Sequence, residues 1–298
     1  MKKLLGLMAL AVVAFLAACG SDGDEGNPDT LVMGFVPSQD SETIADTVEP
    51  LAEELGNILD KEVEPRTMTS YNGVIEGMGS GQVHIGLIPA FGYVMAHQDY
   101  DVEVILKSVR HGSETYKAQY LVQEDSDIES LDDLEGKSWV YGDAASTSGF
   151  LFPASQLMDK YDLESQAELT SEFFSEANAV GAHDTAALEV YEGGADVATT
   201  FDDVRDNLEE DYPDIKDKTR VIGYTEEIPN DTVSVISELD DELVSDIREA
   251  FLSFNEDEEM LQVMNDVYTW DAIVEAEHED YKVVEETYER FQDSISLE

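Results

Sequence analysis

Positive charge is scarce in this sequence. Of 298 residues, 16 are Lys or Arg and 68 are Asp or Glu, a formal net charge of −52. A nucleic-acid interface needs a basic patch, and so few cations cannot supply one. Cysteine is almost absent: Cys19 stands alone, which leaves no internal disulfide and no catalytic thiol in a folded core. The five histidines show no His-x-x-x-His spacing, and there is no P-loop and no Gly-x-Ser-x-Gly elbow. No cofactor or metal is expected. Long apolar runs are missing apart from one, Leu4 to Leu16, preceded by Lys2 and Lys3 and ending at Leu16-Ala17-Ala18-Cys19. That run is too short to span a membrane comfortably and has the flanks of an export signal.

The acidity has two readings. Disorder is one, but 42% of the residues are hydrophobic and they recur with regular periods. The other is a folded protein solvated by carboxylates in a salty exterior, where a Debye length of about 3 Å at ~1 M salt screens the self-repulsion. Leu-Ala-Ala-Cys19 resembles the lipobox of bacterial lipoproteins, in which the cysteine becomes the lipid-modified first residue. This divides the start of the chain into a signal peptide over 1–18 and a flexible acidic tether over 19–29.

Alternating β and α patterns fill the rest. Leu31 to Val36 reads as a strand, followed by a helix burying Ile44, Val48, Leu51, Leu55 and Ile58. A strand near Val63, a helix from Tyr71 through Met78, a strand over Val83 to Ile88, a helix to His97 and a strand over Val102 to Val109 complete a first α/β region. Tyr116 to Val122 leads into a second region, with further strands at Trp139 to Tyr141, Asp196 to Thr200, Arg220 to Tyr224 and Thr232 to Ile236. The remainder reads as helical, and the alternation predicts mainly parallel sheets. Gly81-Gln-Val-His-Ile-Gly and Gly194-Ala-Asp-Val-Ala-Thr each begin a strand after a short helix. They look like one unit used in each half, hence two α/β lobes with a cleft between them.

The stretch with the most chemistry is Lys137 to Pro153. A buried strand and a turn at Gly142 deliver Ser146, Thr147 and Ser148 to the start of a helix. Unpaired backbone N–H groups and three hydroxyls make a cluster of neutral donors suited to a tetrahedral oxyanion, although a serine there is also an ordinary helix cap. Pro153 disfavours helix at Phe152 and predicts a kink after the first turn.

These residues resemble the extracytoplasmic substrate-binding proteins of phosphonate, phosphite and phosphate ABC transporters. The resemblance rests on Ser-Tyr71-Asn-Gly-Val-Ile-Glu-Gly-Met, Ser146-Thr-Ser-Gly-Phe-Leu-Phe-Pro153, Gly181-Ala-His183-Asp-Thr-Ala-Ala-Leu, Asp196-Val-Ala-Thr and Ile228-Pro-Asn-Asp231. It implies an α/β, two-lobed type II periplasmic-binding-protein fold with a central ligand cleft and two hinge crossings near Tyr116 and Asp231. Lobe one is then 30–114 plus 230–298, and lobe two 115–229. By the same resemblance Ser146, Thr147 and Ser148 hold the phosphoryl oxygens through neutral dipoles, with little help from Lys or Arg. His183 is a donor, Tyr71 and Tyr116 line the cleft, Asp231 accepts from a ligand proton or amine, and Asp203 pairs with a ligand ammonium.

The function implied is a non-enzymatic, monomeric receptor, anchored to the outer membrane face through Cys19, that delivers a small phosphorus oxyanion to ABC permease subunits. Two other readings stand beside it: the same fold with a sulfonate, a nitrogenous cation or a sensory ligand, and an exported phosphoester hydrolase using His183, Asp203 and Asp231.

Overall fold

The computed structural model describes residues 26–39 and 41–291. The export signal and Cys19 lie outside the described residues. The tether was expected to run to residue 29, yet Gly26, Pro28 and Asp29 are already docked. Their carbonyls accept from Asp240 N–H, Lys61 Nζ and Glu62 N–H.

Two sheets carry the fold. In the first, β1 (Thr30–Phe35) lies between β2 (Glu62–Thr67) and β3 (Ile85–Ile88) and is parallel to both. Leu31, Val32, Met33 and Phe35 are all buried, as a strand covered on both faces requires. Around it pack α1 (Ser41–Leu59), α2 (Tyr71–Gly79) and α3 (Ala90–Tyr100). In α1 the buried stripe runs through Ile44, Val48, Leu51 and Leu55, then passes to Leu59; Ile58 is exposed.

Beyond β3 the first sheet continues through β10 (Thr232–Val235), β4 (Glu103–Val109) and β11 (Ala272–Glu275). The second sheet has the order β7 (Glu176–Ala179), β6 (Ser138–Tyr141), β8 (Val197–Phe201), β5 (Thr115–Gln123) and β9 (Thr219–Pro229). Only part of this is parallel. β10 runs against both β3 and β4, β11 against β4, and β5 against both β8 and β9. The expectation of mainly parallel sheets is corrected to mixed ones. A parallel neighbour needs a long crossover, and β5 and β10 are entered directly from the other sheet. β11 was also missed, because Ala-Ile-Val-Glu is too short to show a period.

The chain leaves the first sheet after Val109 and returns to it at Thr232, and the two passages are laced together. Asn230 Nδ2 donates to the carbonyls of Ser108 (3.0 Å) and Ser113 (2.8 Å), and its own N–H to that of Glu114. Ser108 N–H donates to the Asp231 carbonyl, and the Tyr281 hydroxyl to that of Asn230. Among the buried charged side chains of the described residues the only acid is Asp203; the carboxylates otherwise face outward or line clefts.

Candidate functional site

Thr147–Leu151 forms a π-helical turn, with Ser146 as its cap, leading into α4 (Phe152–Tyr161). Pro153 explains it. A proline at that point cannot donate to the Gly149 carbonyl, and its ring would crowd that carbonyl in an α-helix. The turn widens, and the Thr199 hydroxyl donates to Gly149 O at 2.5 Å while accepting from Trp139 Nε1 at 2.8 Å. The expected kink is therefore a π turn, a feature that recurs at functional sites.

The Ser146 hydroxyl accepts from Gly149 N–H at 3.0 Å and lies 3.1 Å from His183 Nε2. His183 is the first residue of α5 (His183–Glu192). Glycines permit the approach. A Cβ on Gly149 would sit 2.9 Å from Ser146 Oγ and 3.2 Å from His183 Cε1, and one on Gly142 3.2 Å from the Ala182 backbone. Burial, reinforced by the positive charge of Arg110, lowers the His183 pKa to about 3. The ring is thus neutral, and its Nδ1 is buried with no hydrogen-bond partner among the described residues. If the Ser146 hydroxyl donates to Nε2, Nδ1 carries the proton and is a free donor.

The two lobes touch across this site. His183 N–H donates to the Ser38 carbonyl at 3.0 Å, and Phe91 N–H at the start of α3 donates to the Thr147 hydroxyl at 2.9 Å. Between them lies a cavity of about 30 Å³, room for roughly two water molecules at ~10–15 Å³ each. Tyr71, Tyr116, Ser146, Ser148, His183 and Asp231 all line it.

Two expected residues do not. Thr147 faces Phe91 and spans the lobes. Asp203 has both oxygens occupied, Oδ1 by Arg110 Nη2 at 2.5 Å and Oδ2 by His111 Nε2 at 2.6 Å. Both oxygens thus face Arg110 and His111, and Asp203 is not among the residues that line the cavity.

The residue that sequence reasoning missed is Arg110. It lines the cavity, is 7% exposed, and its guanidinium carbon lies 5.0 Å from the Phe201 ring centre and 5.5 Å from that of Tyr116. The expectation of little help from Lys or Arg did not foresee a cation on the cavity wall. Burial works against the charge, but Asp203 and then Asp231 outweigh it and raise the Arg110 pKa. No local motif marks this arginine; only its position at a crossing between two strand patterns could have drawn attention to it. Tyr268, Gln39 and Ser38 also line the cavity and were not anticipated.

Asp231 is walled in by protein yet keeps partial exposure into the cavity it lines. Burial raises its pKa, with Arg110 and the Trp270 indole opposing. Burial, with Asp231 nearby, pushes the phenols of Tyr71, Tyr116 and Tyr268 far above their ordinary range, so all three are neutral donors.

A sequence profile of ABC transporter phosphonate periplasmic substrate-binding proteins matches residues 33–281. The chain belongs to this family. It is 31% identical over 219 residues to the phosphate-import protein PhnD of Mycolicibacterium smegmatis, covering 70% of this chain and 68% of the relative. In fold it is similar to the binding component of an ABC phosphonate transporter from Pseudomonas aeruginosa, with a TM-score of 0.78, 22% identity, and coverage of 87% and 85%. It is similar also to PhnD1 of Prochlorococcus marinus, solved with methylphosphonate, at a TM-score of 0.76, 20% identity, and coverage of 89% and 98%. The chain is thus a two-lobed, extracytoplasmic solute-binding protein of the type II periplasmic class. Among the described residues no helix is long and apolar enough to cross a membrane, and no group of His, Cys, Asp or Glu is placed to hold a metal ion.

Proposed function

We propose that this protein captures a small phosphorus oxyanion (phosphonate, phosphite or phosphate) between its lobes and hands it to an ABC importer without converting it. The observation that carries this is the convergence of polar groups from both lobes on one small cavity: Tyr71 from one side, Ser148 and the Ser146–His183 pair from the other. A half-open space of about 30 Å³ suits a compact anion better than a nucleotide. Lobe one is 30–114 plus 230–298 and lobe two 115–229, hinged at the passages laced by Asn230. Ligand release then requires rotation about those passages and rupture of the Phe91–Thr147 and Ser38–His183 hydrogen bonds. Lipid attachment at Cys19 would hold the receptor, as a monomer, at the membrane beside its permease.

One feature favours a hydrolytic reading, the Ser146–His183 contact at 3.1 Å. It falls short of a catalytic triad. Among the described residues no carboxylate orients His183 and none partners its Nδ1, and the Ser146 oxygen is engaged as a cap.

Calorimetric titration with phosphate, phosphite, methylphosphonate, 2-aminoethylphosphonate, sulfate and methanesulfonate tests the proposal. One-site binding of at least one phosphorus anion is expected, with the sulfur anions weaker and no product released from phosphoesters. Equal affinity for the sulfur anions, or turnover, would refute it.

A further inference from the structure

Arg110 sits in the first passage between the lobes, where Arg110 and Ser113 exchange two backbone hydrogen bonds around His111 and Gly112. Both intervening residues have positive φ, 49° and 74°. This tight turn fixes the arginine backbone. Its side chain is held at a second point by Asp203, and the rings of Tyr116 and Phe201 flank the guanidinium. Of the two remaining guanidinium nitrogens, Nε is buried and has no hydrogen-bond partner among the described residues.

Leaving a buried charged donor unpaired is costly, and native proteins rarely do so without a function. On the same cavity wall His183 Nδ1 is the second unpartnered buried nitrogen. Two unpartnered buried nitrogens, each on a residue that lines one small cavity, suit a ligand with several acceptor oxygens. With the His183 ring neutral, the cationic share of that recognition falls to Arg110 alone.

We propose that Arg110 is a ligand-binding, specificity-determining residue that donates Nε–H to an oxygen of the bound oxyanion, and that Asp203 is a positioning residue that holds the guanidinium in place without touching the ligand. The proposal rests on the reading of the cleft as an anion receptor. It replaces a direct role of Asp203 toward a ligand amine with an indirect one toward every ligand. It also accounts for an acid being tolerated beside an anion site: both Asp203 oxygens are already taken, by Arg110 and His111.

The test uses the full chain and two probes, methylphosphonate and 2-aminoethylphosphonate. Loss of a charge-assisted hydrogen bond corresponds to about ten- to hundred-fold in affinity, so Arg110→Gln should weaken both probes by that much. Asp203→Asn should weaken both by the same factor, smaller than for Arg110→Gln, since the amide oxygen still accepts from Nη2. A loss confined to 2-aminoethylphosphonate would show that Asp203 meets the ligand amine and would overturn the positioning role. Affinity unchanged in Arg110→Gln would overturn the arginine's role. A variant that fails to fold leaves the wild type to decide. In 15N-labelled protein the Arg110 Nε–H resonance should move on saturation with methylphosphonate, and an unmoved resonance contradicts the proposal. Failure of the receptor reading is separate: the wild type would then bind none of phosphate, phosphite, methylphosphonate and 2-aminoethylphosphonate.

Discussion

Under the proposed function, the two sides of the cavity would recognise an anion by different means. The wall built from Ser146, Ser148 and His183 offers neutral polar groups from one π turn and one helix start. The floor, built from Arg110 and Asp231 with Asp203 behind the arginine, is charged and drawn from three distant segments. Neutral dipoles fix where the oxygens sit and are indifferent to how many protons the ligand keeps. Charged groups in a closed cleft are screened little, so they read that number. Geometry is set by one side and ionisation by the other.

The largest expected effect comes from breaking the neutral wall. Ser146→Ala removes the cap on Gly149 N–H and the His183 contact together. Loss of a cap costs about 1 kcal/mol of stability, and affinity for methylphosphonate should fall roughly a hundred-fold, as two donors are disturbed at once. Calorimetry and thermal unfolding measure both. Affinity within a factor of three of wild type would remove the π turn from recognition.

Acidification should loosen the same wall. The His183 pKa is lowered to about 3 in the fold, against about 6.5 in an unfolded chain. The stability it contributes is complete above the unfolded value and is lost as pH falls toward the folded one, on the order of 2 kcal/mol by pH 5. Asp231, Asp143 and Asp202 have raised pKa values and act in the opposite sense, so the quantity to measure is the difference between wild type and His183→Gln. Urea unfolding at pH 7 and pH 5 should show a shallower loss in the variant; parallel losses would place His183 outside this effect.

The smallest effect belongs to Thr147. Its hydroxyl spans the lobes to Phe91 N–H, so Thr147→Ala should weaken closure. A loss of about 1 kcal/mol gives roughly five- to ten-fold weaker binding, with less compaction on ligand addition in small-angle scattering. A hundred-fold loss would instead make it a direct ligand contact.

How much of this was legible follows the same division. The neutral wall is contiguous: Ser146, Thr147, Ser148 and Pro153 are near neighbours, and Gly181-Ala-His183 marks a helix start, so residue types and spacing announce them. Even there, the direction in which Thr147 points depends on a turn widened by Pro153. The charged floor has no local signature. Arg110 meets Asp203 across 93 residues through a passage between sheets, and only tertiary structure brings them together. The strand order followed the same rule. β1 and β3, with burial on both faces, were readable as parallel-sheet strands, whereas the antiparallel β5 and β10 depend on which lobe the chain comes from.

The most direct measurement of the account is competition between phosphate and sulfate for the wild-type cleft. At neutral pH phosphate keeps at least one proton and sulfate keeps none, while their sizes are similar. An ionised Asp231 can accept from the first and repels the second. Because burial raises the Asp231 pKa, the discrimination is fully present above that folded pKa and disappears as pH falls through it, when the carboxyl itself becomes a donor. The expected result is phosphate preferred by about a hundred-fold or more at neutral pH, a gap that narrows in acid and in Asp231→Asn. Sulfate binding within a few-fold of phosphate at neutral pH would contradict the account.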